Sequence, residues 1–164
     1  TNLAFEHAMQ RMGVPFARAK VGDRYVMELL QQQTWQLGGE NSGHIICLDR
    51  HTTGDGIVSA LQVLHALRAS GQTLAQAAAD LILYPQVLLN VRVAKGMDCT
   101  AHAGVRAAVS GAEAALAGRG RVLLRPSGTE PLLRVMVEGD DEAEVRRWAE
   151  TIAQAVREAA QTVA

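Results

Sequence analysis

The sequence predicts an α/β and α+β chain: a partial α/β domain with a mixed sheet, then a small antiparallel-sheet domain with two helices on one face. Three observations carry this expectation. Helix-like and strand-like runs alternate up to Leu83, as in part of an α/β layer. Tyr84-Pro85 then interrupts the pattern and sets a boundary between residues 1–84 and 85–164. Beyond it the order reads β-α-β-β-α. A length of 164 residues allows one domain or two small ones, and 48% hydrophobic residues with 20% charged supply a core and a solvated surface.

Taken in order, Leu3, Phe5, Ala8, Met9 and Met12 form a helical face that Gly13 ends before Pro15. Phe16 to Val21 reads as a short strand. Gly22 leads into a helix with Tyr25, Val26, Leu29 and Leu30 inward. Trp35–Leu37 and Ile45–Leu48 read as strands around a Gly-rich loop. After Gly56 comes a helix whose apolar stripe is Ile57, Val58, Leu61, Leu64 and Leu67. Asp55 is placed to cap it, and a lone Asp among glycines is a poor metal cage. Gly71 closes that helix, and Leu74–Leu83 forms a shorter one. Val87–Val93 is a strand and Lys95–Cys99 a loop. Val105, Ala108, Val109, Ala112 and Leu116 line the next helix, which Gly118 ends. Arg121–Leu124 and Leu132–Val137 are strands of a hairpin. Asp140 and Asp141 start the last helix, with Glu142 and Glu144 matching its dipole and Val145, Trp148, Ala149, Ile152, Val156 and Ala159 facing inward.

Composition narrows the function. A net charge of −1 and only 4% aromatic residues argue against nucleic acid as a partner. No stretch reads as a membrane span or a signal peptide. Cys47 and Cys99 lie far apart with no His or second Cys at ligand spacing, which points to a reduced, cytoplasmic setting. His7, His51, His65 and His102 are scattered, and Arg119 and Arg121 read as solvated. The chain begins at Thr1, inside what reads as the start of a helix, so a piece of a longer protein is expected.

Two loops concentrate the polar chemistry. Arg125-Pro126-Ser127-Gly128-Thr129-Glu130-Pro131 interrupts the hairpin with two hydroxyls, a Gly that allows close backbone approach, and an Arg at its foot. If residues 126 to 131 close the hairpin, Arg125 faces Leu132, and Arg134 lies on the side of Arg125. Val122, Leu124, Leu133, Val135 and Val137 then share the buried side. Two cations beside a hydroxyl-rich loop suit a phosphate, and a surface hairpin with solvated arginines fits the same spacing. In Gly38-Gly39-Glu40-Asn41-Ser42-Gly43-His44, a carboxylate can accept from two neighbouring sugar hydroxyls, and glycines let the backbone approach a ring. The plain alternative is a Gly-rich hairpin turn.

The Arg125–Pro131 run followed by Leu132-Leu133-Arg134-Val135 resembles the phosphate-binding loop of the α-D-phosphohexomutases. The Gly38–His44 run, Thr52-Thr53-Gly54-Asp55-Gly56-Ile57, Lys20-Val21-Gly22-Asp23-Arg24-Tyr25-Val26 and Tyr84-Pro85-Gln86-Val87-Leu88-Leu89-Asn90-Val91 resemble further signatures of that family, in its order. Within the family these runs resemble the branch that interconverts glucosamine 6-phosphate and glucosamine 1-phosphate.

The resemblance implies four domains around one cleft, a phosphoserine donor, a hexose 1,6-bisphosphate intermediate or activator, Mg²⁺ held by aspartates beside that serine, and a cytoplasmic homodimer. It casts residues 1–84 as the later part of domain 3 and residues 85–164 as domain 4. Arg125, Ser127, Gly128, Thr129 and Arg134 would bind the substrate phosphate, and Glu40, Asn41 and Ser42 the sugar. Asp23, Arg24 and His44 are weaker candidates for the cleft. No serine stands in a Thr-Ala-Ser-His-Asn-Pro-like loop and there is no Asp-Gly-Asp run, so no catalytic or metal-binding residue is expected and the chain alone should be inactive. A small domain hinged near Tyr84-Pro85 would open for the substrate to turn between half-reactions. The alternatives are a phosphomannomutase or phosphoglucomutase, a non-catalytic phosphosugar-binding module, or a structural interaction domain. Asn41 and the Thr-Thr-Gly-Asp-Gly run favour the glucosamine branch.

Overall fold

The computed structural model describes residues 1–94 and 97–162. Lys95 and Gly96, part of the loop expected over Lys95–Cys99, lie outside the described residues. The chain divides into two units, one of Thr1 with Phe5–Ile82 and one of Asn2–Ala4 with Leu83–Ala164.

In the first unit, helix α1 (Leu3–Arg11, here from Phe5) is followed by an extended segment. The strand expected at Phe16–Val21 does not form, because it has no ladder partner among the described residues. Side chains hold the segment instead. Phe16 meets Phe5 edge to face at 6.0 Å, and Arg18 pairs with Glu6 at 2.7 Å. Helix α2 (Asp23–Gln33) buries Leu30, whereas Tyr25, expected inward, is exposed beneath the Lys20 ammonium.

Strand β1 (Leu37–Gly39) pairs antiparallel with β2 (Ile45–Cys47), Gly38 opposite Ile46. The first of these strands was expected over Trp35–Leu37. Gly38 and Gly39 are therefore ladder residues, not loop residues. A Cβ on Gly38 would come within 2.7 Å of Val26 and 2.9 Å of Leu30, so this glycine lets β1 lie against α2.

Helix α3 (Gly56–Ser70) departs furthest from expectation. Its stripe does not face inward: Ile57, Leu61 and Leu64 are 75%, 57% and 61% exposed. A helix of this length runs about 22 Å, while each three-residue strand beside it spans about 10 Å. The ribbon cannot cover the helix. Its anchor is Ser59, whose hydroxyl donates to the Ile45 carbonyl at 2.9 Å. Helix α4 (Leu74–Ala78) stops short of the expected Leu83 and starts with a capping box between Thr73 and Gln76.

The second unit has the expected order: β3 (Gln86–Arg92), α5 (Ala103–Ala115), β4 (Gly120–Pro126), β5 (Leu132–Gly139) and α6 (Glu142–Thr162). The sheet is antiparallel in the order β3-β5-β4. Leu133, Val135 and Val137 of the central strand pack with Val105 and Ala112 of α5, with Leu116 at its C-terminal cap, and with Val145, Ile152 and Val156 of α6. Both helices thus lie on one face. Each fully buried Val, Leu or Ile side chain of this set contributes about 1.5–3 kcal/mol relative to exposure. Two local caps complete the helices: His102 Nδ1 accepts from the Gly104 N–H, and Asp141 Oδ1 from the Glu144 N–H at 2.7 Å.

Neither Arg119 nor Arg121 is simply solvated. Arg119 bridges Asp140 at 3.2 Å and Glu144 at 3.0 Å. Arg121 reaches Glu138 at 2.8 Å, and the Glu138 side chain is 0% exposed. The Asn2 amide also donates to Glu138, at 3.3 Å, and exchanges hydrogen bonds with the Tyr84 backbone. A buried carboxylate needs such partners, and stripping one away leaves charge without compensation.

Arg121→Ala should therefore destabilise the chain by about 3 kcal/mol in urea unfolding. Arg119→Ala, which breaks half-exposed pairs, should cost less than about 1 kcal/mol. Equal losses would show that the Glu138 cluster does not carry this stability.

Candidate functional site

Each unit presents one polar loop built on a pair of strands. In the second unit the chain leaves β4 at Pro126 and enters β5 at Leu132. The Ser127 N–H donates to the Leu132 carbonyl at 2.8 Å, and the Ser127 hydroxyl accepts from the Glu130 N–H at 3.3 Å. From the β3 side the Val93 N–H donates to the Pro131 carbonyl at 3.1 Å. The loop is held at its feet and open at its tip. A Cβ built on Gly128 meets nothing within 4 Å. Among the described residues, the Gly128 and Thr129 N–H groups and the Thr129 hydroxyl have no hydrogen-bond partner.

The ladder changes the expected register. Arg125 stands opposite Arg134, not Leu132, and Pro126 stands opposite Leu133. The pairing starts closer to the loop tip because Ser127 still bonds across to Leu132. A two-residue shift keeps every side chain on its face. Arg125 and Arg134 therefore project from the sheet's open face as direct cross-strand neighbours. Like charges in that relation repel. Arg134 has Glu130 at 3.9 Å, too far for a hydrogen bond, and its Nε is buried without a partner. Arg125 has neither an ion pair nor a hydrogen bond among the described residues. Two adjacent guanidinium groups, two free N–H groups and two hydroxyls form a donor set suited to a dianion.

The loop of the first unit is a tight turn. The Glu40 N–H donates to the His44 carbonyl at 2.9 Å and the Gly43 N–H to the Glu40 carbonyl at 3.1 Å. Glu40 Oε1 accepts from the Gly22 N–H at 2.7 Å, which joins the Lys20–Val26 motif to the Gly38–His44 motif. Gly22 has φ 126°, a backbone setting that side chains rarely permit. One Glu40 oxygen is thereby engaged and the carboxylate is oriented. Ser42 and His44 pair through Oγ and Nδ1 at 2.9 Å, and Asn41 is exposed at the tip. Asp23 folds back onto the Arg24 N–H, and Arg24 pairs with Glu28 at 2.9 Å on exposed α2 surface.

The remaining motif is a helix start. Asp55 Oδ1 accepts from the Ile57 and Val58 N–H groups at 2.8 and 2.9 Å. These two bonds, Val58 first, hold its carboxyl below the ordinary carboxylate range. Burial, reinforced by the Asp98 carboxylate, pushes the Cys99 thiol up, so it is no ready nucleophile. Among the described residues no three His, Cys, Asp or Glu side chains are grouped to hold a metal ion. No described helix is long and apolar enough to cross a membrane.

Residues 1–84 match the sequence profile of phosphoglucomutase/phosphomannomutase, alpha/beta/alpha domain III. The chain belongs to the phosphoglucomutase/phosphomannomutase family. Residues 88–155 match the family's C-terminal domain. Among curated relatives of this family, phosphoglucosamine mutase from Methylobacillus flagellatus is 64% identical over 98% of this chain, and that from Nitrosospira multiformis is 62% identical over the same share. The chain spans 35% of the length of each. Two solved structures share the fold. Aspergillus fumigatus N-acetylphosphoglucosamine mutase, in complex with GlcNAc-6P and magnesium, gives a TM-score of 0.71 at 20% identity, over 93% of this chain and 38% of that one. A variant of that enzyme bound to glucose 1,6-bisphosphate gives 0.72 at 21% identity, over 98% and 37%.

Sequence patterns missed two things that the family's fold brings about here. One is the Gly22–Glu40 hydrogen bond, which no spacing rule connects. The other is a further polar pair, Asn90 and Arg92, on the open face beside Arg134. Their signal was the alternation of Gln86, Leu88, Asn90 and Arg92 with the inward Val87, Leu89, Val91 and Val93.

Asp55 has a signed pH dependence. Because its folded value is depressed, its contribution to α3 is full above the ordinary carboxylate range and is lost as pH falls through the folded value. The Ile57 and Val58 amide resonances should titrate with an acid midpoint below that range. In Asp55→Asn the titration should vanish while the cap persists. An unchanged titration in the variant would assign it to another group.

Proposed function

We propose that this chain is the sugar- and phosphate-holding part of a phosphoglucosamine mutase, the enzyme that interconverts glucosamine 6-phosphate and glucosamine 1-phosphate. The observation that carries the reading is the Arg125–Arg134 pair, two guanidinium groups in register opposition beside a loop with unused donors. A dianionic phosphate ester turns that repulsion into attraction at both partners. The names of relatives at 62–64% identity support glucosamine phosphate as the substrate.

On this reading the Arg125 loop grips the phosphate that is not reacting, and Glu40 and Ser42 fix the sugar hydroxyls. Glu40 suits that role because the Gly22 N–H occupies one oxygen and leaves the other to accept. Residues 1–84 act as the later part of the family's third domain and residues 85–164 as its fourth, with Tyr84-Pro85 between them. The parent enzyme works in the cytoplasm, where the two free cysteines stay reduced. On this reading the phosphoryl donor and Mg²⁺ come from the rest of the parent, since this chain spans 35% of the length of its relatives. What these residues contribute is positioning and charge stabilisation.

An amide-NMR titration tests the reading. Glucosamine 6-phosphate should move the Ser127, Gly128, Thr129 and Arg134 signals, and free glucosamine should not. Arg125→Ala should weaken binding by about 2 kcal/mol, roughly thirtyfold. Undiminished affinity in that variant would place the phosphate elsewhere. The purified chain should show no mutase turnover, and any turnover intrinsic to it would refute the assigned division of labour.

A further inference from the structure

We propose that the anion site extends across the sheet to β3, with Asn90 and Arg92 as further ligands of the phosphate group. The inference rests on the phosphate reading of the hairpin loop and adds residues that no part of that loop contains.

The ladder registers carry the argument. Arg134 pairs with Arg125 on one side and with Asn90 on the other, so Asn90, Arg134 and Arg125 form one row. Partners in a row share a face, and neighbouring strands lie about 4.8 Å apart. Arg92 pairs with Leu132 in the next row toward the loop, and the Val93–Pro131 hydrogen bond ties this end of β3 to the loop itself. The opposite set, Val87, Leu89 and Val91 of β3 with Val93 just after it, packs against the core, which leaves Asn90 and Arg92 on the open face. Both are exposed, and among the described residues neither side chain has a hydrogen bond or an ion pair.

The chemistry is complementary. Three guanidinium groups and a carboxamide lie around one corner of the sheet, next to the free N–H groups of Gly128 and Thr129. Among the described residues the only carboxylate paired with any of these arginines is Glu130, at 3.9 Å from Arg134. A phosphate monoester has three terminal oxygens, more acceptor sites than Arg125 and Arg134 fill with one bidentate pair each. Asn90 supplies two N–H donors without charge, and Arg92 a further fork. Farther along the same face the rows turn apolar, with Leu88, Met136 and Leu123, and then close on the buried Glu138 cluster. Phosphate binding therefore belongs at the loop end.

The test uses the whole chain and inorganic phosphate, followed by calorimetry and by the Gly128 and Thr129 amide shifts. Asn90→Ala and Arg92→Ala should each weaken phosphate binding roughly three- to tenfold, with Arg92→Lys recovering part of the loss. Arg106→Ala, which removes an exposed cation from α5, should have no effect, which separates local contact from net charge. Gln86→Ala, on the same face but beside Glu138, should also bind normally. Normal binding by Asn90→Ala and Arg92→Ala, with Arg125→Ala impaired, overturns this proposal and leaves the hairpin site standing. Equal losses in Arg92→Ala and Arg106→Ala also overturn it. Absence of saturable binding by the unsubstituted chain overturns both readings together.

Discussion

The alternation of side chains along β5 is the constraint from which the second unit follows. Leu133, Val135 and Val137 are buried against α5 and α6 and cannot leave that core. A one-residue slip would bury Arg134 and expose the valines, at a cost far above the strength of any turn contact. The strand is thus locked, and its other side has to carry Arg134, Met136 and Glu138. Because β5 is the central strand, it also dictates which residues of β3 and β4 stand beside these three. The polar corner is a consequence of how the apolar side packs.

That corner holds an unfavourable arrangement in the free protein. Two guanidinium groups oppose each other in one ladder step, with, among the described residues, a single carboxylate at a distance beyond hydrogen-bonding reach. At the other end of the sheet the same problem is solved within the chain. There Arg121 meets a fully buried Glu138, which Asn2 also supports. One end is neutralised internally, and among the described residues the other has no comparable partner. This contrast sets a structural ion pair apart from the corner we propose as a binding site more clearly than the number of arginines does.

The first unit shows a different economy. Its polar loop depends on glycines at two points of the backbone: Gly38 clears Val26 and Leu30, and Gly22 adopts a positive φ to offer its N–H to Glu40. Backbone freedom here lets β1 lie against α2 and orients a carboxylate. The exposed stripe on α3 shows in turn that helical periodicity identifies an apolar side but not the surface that covers it.

Much was legible beforehand. The β-α-β-β-α order, the inward sets of both helices of the second unit, the Asp55 cap and the shared face of Arg125 and Arg134 all follow from local periodicity and turn chemistry, which adjacent residues determine. What needed the tertiary structure were pairings between distant residues. Arg125 stands opposite Arg134 and not Leu132; Arg121 finds Glu138; among the described residues Phe16 to Val21 has no strand to pair with. A sequence specifies which side of a strand is apolar through its period of two. Register, partner and cover are decided only when separate segments compete for the same space, and no local pattern records that competition.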